Sequence, residues 1–351
     1  MGFTLTLLLL FAPAACSAGS EPARPPGPSS ASDDARLTIE ITSSTASAPT
    51  GIRAAIEQAN ATVGPTRIVS RLAPGTEIYI VRALPNLKGA DTIFDAEGLV
   101  LRSGSCTRSD AREGCDGLVV SGPKIRVNGL VARDFLFDGI AVRGASAVDV
   151  RISDCRCFGN RDDGVGVSAY ATSVVVERCV LEGNGYRTKG KGILVFDYAE
   201  AELRDNVVRG NRDGITISRR SRAHLVGNKI IGNYDKGFGV AGAYATGERN
   251  TIESNGLGME GLDTPPNADG IRVTIDSTLR LSDTSIAGNG DSGIVVIGTG
   301  RATLTGGRIV GNAGVGVRGA DNASIRLEGV TVRENRGGAE SLEDLARLEK
   351  E

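Results

Sequence analysis

Tryptophan is absent from this chain, and histidine occurs once, at His224. Eight Phe and six Tyr are the only other rings in 351 residues, which excludes a core built on bulky aromatics. A single His excludes a multi-histidine zinc centre and argues against a Ser-His-Asp triad. Positive charge is not in excess. Lys+Arg 40 against Asp+Glu 42 leaves a net charge of -2, which excludes nucleic acid as a bulk electrostatic partner. The one long apolar run, Leu5 to Ala12, is too short to span a bilayer. Glycine, by contrast, is abundant: 48 of 351 residues, about twice ordinary usage. Many short elements joined by tight turns are expected.

The N-terminal run is interrupted only by Thr6 and is followed by Pro13-Ala14-Ala15-Cys16. This fits a signal h-region, and small residues just before a Cys resemble the lipobox of bacterial lipoproteins. The resemblance implies that residues 1–16 are a signal, that Cys16 is lipidated, and that this anchor is the only membrane contact. Pro13, and the lack of Lys or Arg in Met1-Gly2-Phe3-Thr4, depart from the pattern, so a plain secretory signal cut near Ala14 is the alternative. Residues 17–35 are rich in Ser, Pro, Ala and Gly and read as a flexible tether.

Beyond the tether the chain repeats. An Asn recurs at 160, 184, 211, 233, 255, 289, 312 and 335, at spacings of 24, 27, 22, 22, 34, 23 and 23. A period in the low twenties signals a solenoid. Five residues before each marker lies a second column: Cys155, Cys179, Asn206, Asn228, Asn250, Thr284, Gly307, Val330. After each marker comes a Gly followed by alternating apolar residues, as in Gly164-Val165-Gly166-Val167 and Gly214-Ile215-Thr216-Ile217. Such alternation is the strand signature. Each repeat therefore holds three short strands, and stacked repeats pair every backbone group with the coils above and below. The pattern resembles the right-handed parallel β-helix proteins of the pectate-lyase-like superfamily. The implied fold is an all-β solenoid of about 22–27 residues per coil with short capping helices, at 36–338. Within it, 36–120 form the N-terminal cap and irregular early coils, and 121–338 the regular coils.

Caps are expected at both ends, because open solenoid ends expose core and strand edges. Ile52, Ala55, Ile56 and Ala59 fall at helical spacing after Thr50, a candidate N-cap. The stretch 51–60 looks like the helix near the start of many secreted bacterial β-helix proteins. Ser341-Leu342-Glu343-Asp344 resembles a capping box, with Leu342, Leu345 and Leu348 on one face, and predicts a helical tail over 339–351. Cys106 and Cys115 bracket a polar loop and read as a disulfide, which requires an oxidising compartment. Cys155 and Cys179 share a column on adjacent coils, as a disulfide or as stacked thiols. Cys157 reads as a buried apolar residue.

The chemistry concentrates before the strand-opening glycines: Asp138, Asp163, Lys191, Asp213, Lys236, Asp269, Ser292 and Ala313. From Asp163 to Asp269 the signs alternate, as a stacked salt ladder would. Phe137-Asp138-Gly139-Ile140 and Asp162-Asp163-Gly164-Val165 are also similar to the first two motifs of the polygalacturonases. In those enzymes a general acid and a water-activating carboxylate flank a glycosidic bond. The third motif has Gly190-Lys191-Gly192 in place of Gly-His-Gly, and Arg272-Val273-Thr274 matches the fourth in part. A lyase would instead use Ca²⁺ on Asp138, Asp162 and Asp163 and a base at Lys191 or Arg187. Tyr170, Tyr198, Arg220 and Tyr244 follow one strand on four successive coils and, with Tyr186 and Tyr234, form a candidate stacking surface for a glycan. His224 should point outward beside Arg219, Arg220 and Arg222. The sequence thus points to an exported, extracytoplasmic, monomeric β-helix. Its expected partner is polysaccharide or cell-envelope glycan, and it needs either no cofactor or Ca²⁺. Its expected role is a binding or structural module, with a lyase or hydrolase of uronate-containing polysaccharide as the alternative.

Overall fold

The computed structural model describes residues 36–104, 116–185, 188–258 and 267–350. The expected disulfide of Cys106 with Cys115, Cys16, and Tyr186 and Arg187 lie outside these residues. Among the described residues no helix is long and apolar enough to cross a membrane.

The chain winds as a right-handed β-helix through three parallel sheets, of 13, 11 and 10 strands among the described residues. One coil illustrates the plan. Glu200–Arg204 lies in the first sheet, Val207–Arg209 in the second and Asp213–Ser218 in the third. Each strand pairs in parallel with its equivalent one coil on, as Ile215 with Phe238 and Ile217 with Val240. Inward positions form apolar stacks: Leu203, Val208, Ile215 and Ile217 are fully buried, and their counterparts fill the same columns on neighbouring coils.

Two amide ladders run down the turns. In the first, each Asn donates its backbone N–H and its Nδ2 to the Oδ1 of the next Asn. Asn184, for example, reaches Asn211 Oδ1 at 2.9 Å by both groups. The same Nδ2 also donates to the carbonyl of Cys157 in the preceding coil at 3.0 Å. The neighbouring glycines are required by this ladder. A Cβ on Gly164 would sit 2.8 Å from Asn184 Nδ2 and 2.7 Å from the Gly192 carbonyl oxygen. In the second ladder Asn206 Oδ1 accepts the N–H of its counterpart one coil earlier, Cys179, at 3.0 Å. Cys155 and Cys179 are free thiols, not a disulfide. Each thiol donates to a carbonyl of the preceding coil, Val127 at 3.7 Å and Ile152 at 3.6 Å, where Asn206 uses its amide on Val176. Cys157 is a buried core residue, as expected.

The N-terminal end is covered by the helix Ile52–Ala61, which buries Ile52, Ala55, Ile56 and Ala59. Its N-cap is Gly51, not Thr50, and no side chain caps it. Asn60 fastens its far end: Oδ1 accepts from the Lys88 and Gly89 N–H groups at 2.8 and 2.9 Å. The expected C-terminal helix does not form. Glu340–Leu342 pairs with Val317–Gly319, and Arg347–Lys350 pairs with Ser324–Glu328, adding one more coil. The reason is that the preceding coil offers a ready template for backbone pairing. Leu348 packs on the core while Leu345 is 72% exposed, so the three leucines do not share a face.

Candidate active site on the third sheet

The outer face of the third sheet carries the aspartate column at one edge. Asp116 Oδ1 accepts the Asp138 N–H at 3.1 Å, Asp138 Oδ1 accepts the Asp163 N–H at 3.2 Å, and Asp163 Oδ1 accepts the Lys191 N–H at 2.7 Å. Each carboxylate thus spends one oxygen on the next coil's backbone. Asp116 belongs to this set, one coil before the column that opens at Asp138. Its signal was present, since Asp116-Gly117-Leu118 repeats Asp138-Gly139-Ile140 one coil earlier.

Beside the column the outward positions are small. Ala141, Gly166, Thr216 and Gly239 occupy equivalent places with Leu194 among them. Apart from Leu194, these short side chains leave a low strip, or trough, along the sheet. Asp138 Oδ2 lies over it, 2.5 Å from where a Cβ on Gly166 would stand. Only a glycine leaves room for that carboxylate. Arg143 reaches back from the trough's far side to Asp116 Oδ2 at 2.9 Å and Asp138 Oδ2 at 3.6 Å.

Four carboxylates, Asp116, Asp138, Asp162 and Asp163, gather here, and among the described residues Arg143 forms ion pairs with two of them, Asp116 and Asp138. Burial, reinforced by Asp163, Asp116 and Asp162, pushes Asp138 well above the usual carboxylate range, against the pull of Arg143. Burial and the adjacent Asp162 push Asp163 up to about 7, with Lys191 opposing. Burial also raises Asp116, opposed chiefly by Arg143. Asp163 is thereby held partly protonated near neutral pH.

The expected alternating salt ladder forms at one rung only. Lys236 Nζ reaches Asp213 at 2.7 Å. Lys191 Nζ turns to the Lys189 carbonyl, and Asp269 pairs with Arg272 of its own coil at 2.6 Å. The column continues through Ser292 to Val315, not Ala313, because Gly316 aligns with Gly293. No three His, Cys, Asp or Glu side chains converge as a metal site would require among the described residues. The Ca²⁺ expected on Asp138, Asp162 and Asp163 therefore has no preformed cage.

Past the trough, three successive turns carry Tyr170, Tyr198 and Arg220. All three are left-handed, with φ of 66°, 62° and 61°. The Tyr170 and Tyr198 rings stack with centroids 5.0 Å apart and planes 10° from parallel. Arg220 Nη1 donates to the Tyr198 hydroxyl at 2.8 Å. The rings remain 55% and 40% exposed. Tyr244 does not continue this stack. It begins a first-sheet strand beside Arg222 and Thr278. Tyr234 is buried under the Arg212 guanidinium, so it is no part of a binding surface.

The family description "Right handed beta helix region" matches residues 105–243 and 213–349. The chain belongs to the right-handed β-helix family. No curated protein matches this β-helix in sequence. Twenty-two solved chains match it in structure. One is a variant of the periplasmic alginate epimerase AlgG, 15% identical over 76% of this chain and 70% of that one, with a TM-score of 0.57. Another is the A-module of the Azotobacter vinelandii mannuronan C-5 epimerase AlgE6, 16% identical over 85% and 94%, TM-score 0.53. Pectate lyase Pel9A is 14% identical over 89% and 77%, TM-score 0.53. At these identities the likeness is one of fold.

Proposed function

We propose that this β-helix is an exported enzyme that cleaves polysaccharide along the outer face of its third sheet. The observation that carries the proposal is the carboxylate cluster on the trough: burial raises Asp163 to about 7 and Asp138 well above the usual carboxylate range, and the Arg143 guanidinium lies against Asp138 and Asp116. A buried acid poised near the working pH can give a proton to a glycosidic leaving oxygen, and a neighbouring carboxylate can receive one from water. Asp138, whose Oδ2 overlies Gly166, is the group presented to the trough. Asp163 and Asp162 tune it, Asp116 accepts its backbone N–H, and Arg143 lies 3.6 Å from its Oδ2. The Tyr170–Tyr198 stack and Arg220 supply a platform for sugar rings farther along the same coils. Solved polysaccharide-acting enzymes with this fold support the substrate class, and the periplasmic one among them supports an extracytoplasmic site of action. The signal-like residues 1–16, with lipidation at Cys16, are the proposed route to it.

The test uses a panel of uronate-containing and neutral polysaccharides, with and without Ca²⁺. New reducing ends and unsaturated-product absorbance are followed together. Product from the wild type, abolished in Asp138→Asn, supports the reading, and the type of product separates lyase from hydrolase. Product formed equally by Asp138→Asn refutes it.

A further inference from the structure

A second candidate site lies on a different face. The outward residues of the first sheet run Arg151, Val175, Glu202, His224, Thr246 and Arg280 on successive coils. Beside them, Glu200, Arg222 and Tyr244 form a parallel row. Most of this face carries long charged side chains. At Ser173 and Val175 both rows shorten, and a cleft of about 570 Å³ opens there toward Tyr244 and Thr246. That volume falls within the range of small-molecule sites, roughly 300–1,000 Å³.

The chemistry of the lining selects its occupant. Val175 and the Tyr244 ring offer apolar surface. Glu200, Glu202 and His224 border it with hydrogen-bonding groups, and His224 Nδ1 is held by Thr246 Oγ1 at 2.8 Å. The charges balance. Asp149 is neutralised by Arg126 at 2.9 Å and Glu202 by Arg204, which leaves Glu200 against Arg222. Arg222 itself lies 5.9 Å from the Tyr244 ring centroid. An apolar floor with a polar rim of no net charge matches a pyranose ring, which has an apolar face and an equatorial rim of hydroxyls. The cleft crosses five coils, from Asp149 to Tyr244, roughly 19 Å at the strand spacing of about 4.8 Å. That length suits a short oligosaccharide better than a single sugar.

We infer that the first-sheet cleft binds a neutral oligosaccharide, with a sugar face on Val175 and Tyr244 and hydroxyls on Glu200, Glu202 and His224. This holds whether or not the third sheet cleaves glycan. It gives His224, the only histidine, a place in recognition. The full chain is titrated calorimetrically with cellotetraose, maltotetraose and mannotetraose, and with tetragalacturonate as the charged comparison. At least one neutral tetrasaccharide should bind. Ser173→Arg, which fills the cleft from an exposed position, and Tyr244→Ala should each weaken it at least tenfold, in samples whose melting matches the wild type. Three results overturn the inference: no neutral ligand binding at millimolar concentration, unchanged affinity in Ser173→Arg, or tighter binding of tetragalacturonate than of every neutral ligand.

Discussion

Asp163→Asn distinguishes an acid buried neutral beside Asp138 from a charged rung in a structural ladder, because the two give opposite signs. The folded protein holds Asp163 at about 7 through burial, against an ordinary value of 3.8. Between those two values the folded state binds the proton and the unfolded state does not. Stability contributed by this group is therefore full below about pH 4 and is lost as pH rises through about 7. A shift of about three units corresponds to about 4 kcal/mol. The carboxamide of Asn keeps an oxygen for the Lys191 N–H, now 2.7 Å from Asp163 Oδ1, and carries no charge to desolvate. At pH 8 the variant should be more stable than the wild type by up to about 4 kcal/mol. At about 2.1 cal/mol/K per residue over roughly 300 folded residues, this is about 6 °C in Tm if the solenoid melts as one unit. At pH 4.5 the gap should narrow to about 1 kcal/mol. Asp138, Asp116, Asp235 and Asp269 are raised with the same sign, so the measurement is the difference between the two proteins across pH, not the wild-type slope. A salt-ladder role would make Asp163 stabilising as an anion. Asp163→Asn melting below the wild type at pH 8 would refute the reasoning.

Other perturbations follow from the same geometry. Asn211→Ala removes the acceptor of the Asn184 N–H at 2.9 Å and the donor to the Leu181 carbonyl at 2.9 Å. At about 1–3 kcal/mol per buried group left unpaired, urea denaturation should show a loss of about 2–6 kcal/mol. A loss under 0.5 would contradict the ladder's role. Cys179→Asn extends the second ladder by offering the Cys155 N–H the acceptor that Asn206 gives Cys179. Melting should show a gain of up to about 1 kcal/mol, and a loss above 2 would mean the pocket is sized for sulfur. Tyr198→Ala removes the 5.0 Å ring stack and the partner of Arg220. Polysaccharide binding by affinity electrophoresis should weaken by about 3–10-fold, the value of one aromatic contact, with little change in Tm. Unchanged binding would remove this turn from the glycan path.

The fold was legible because a solenoid repeats its errors and its rules. Asn and Gly recur where an amide must bridge coils and where no Cβ fits, and eight repetitions of that pair outweigh any local ambiguity. What remained hidden depended on a single coil or on the choice between neighbours. Residues 340–350 satisfy a capping box and a helical spacing, yet the waiting edge of Ser324–Glu328 pairs them as strand. Tyr244 sits at the same distance from the preceding strand as Tyr198, but the turn before it closes on Gly242, and the ring lands on the first sheet. The alternation of Asp and Lys implied pairing between coils. Sequence order does not reveal that Lys191 points to its own turn or that Asp269 is taken by Arg272. Asp138 and Asp163 stand out in the sequence by their shared Asp-Gly motif. Their shared environment does not, since Asp116 lies in an irregular early coil and Arg143 reaches back across the trough.

The central claim is that the aspartate cluster of the third sheet acts as an acid on polysaccharide. The most direct measurement is the pH dependence of product formation on the best substrate of the panel, from pH 4.5 to 8.5, for the wild type and Asp163→Asn. The expected wild-type rate falls as pH rises through about 7, where Asp163 loses its proton, and this limb vanishes or moves in the variant. A wild-type rate flat across that range, or one whose fall is identical in Asp163→Asn, would contradict the account.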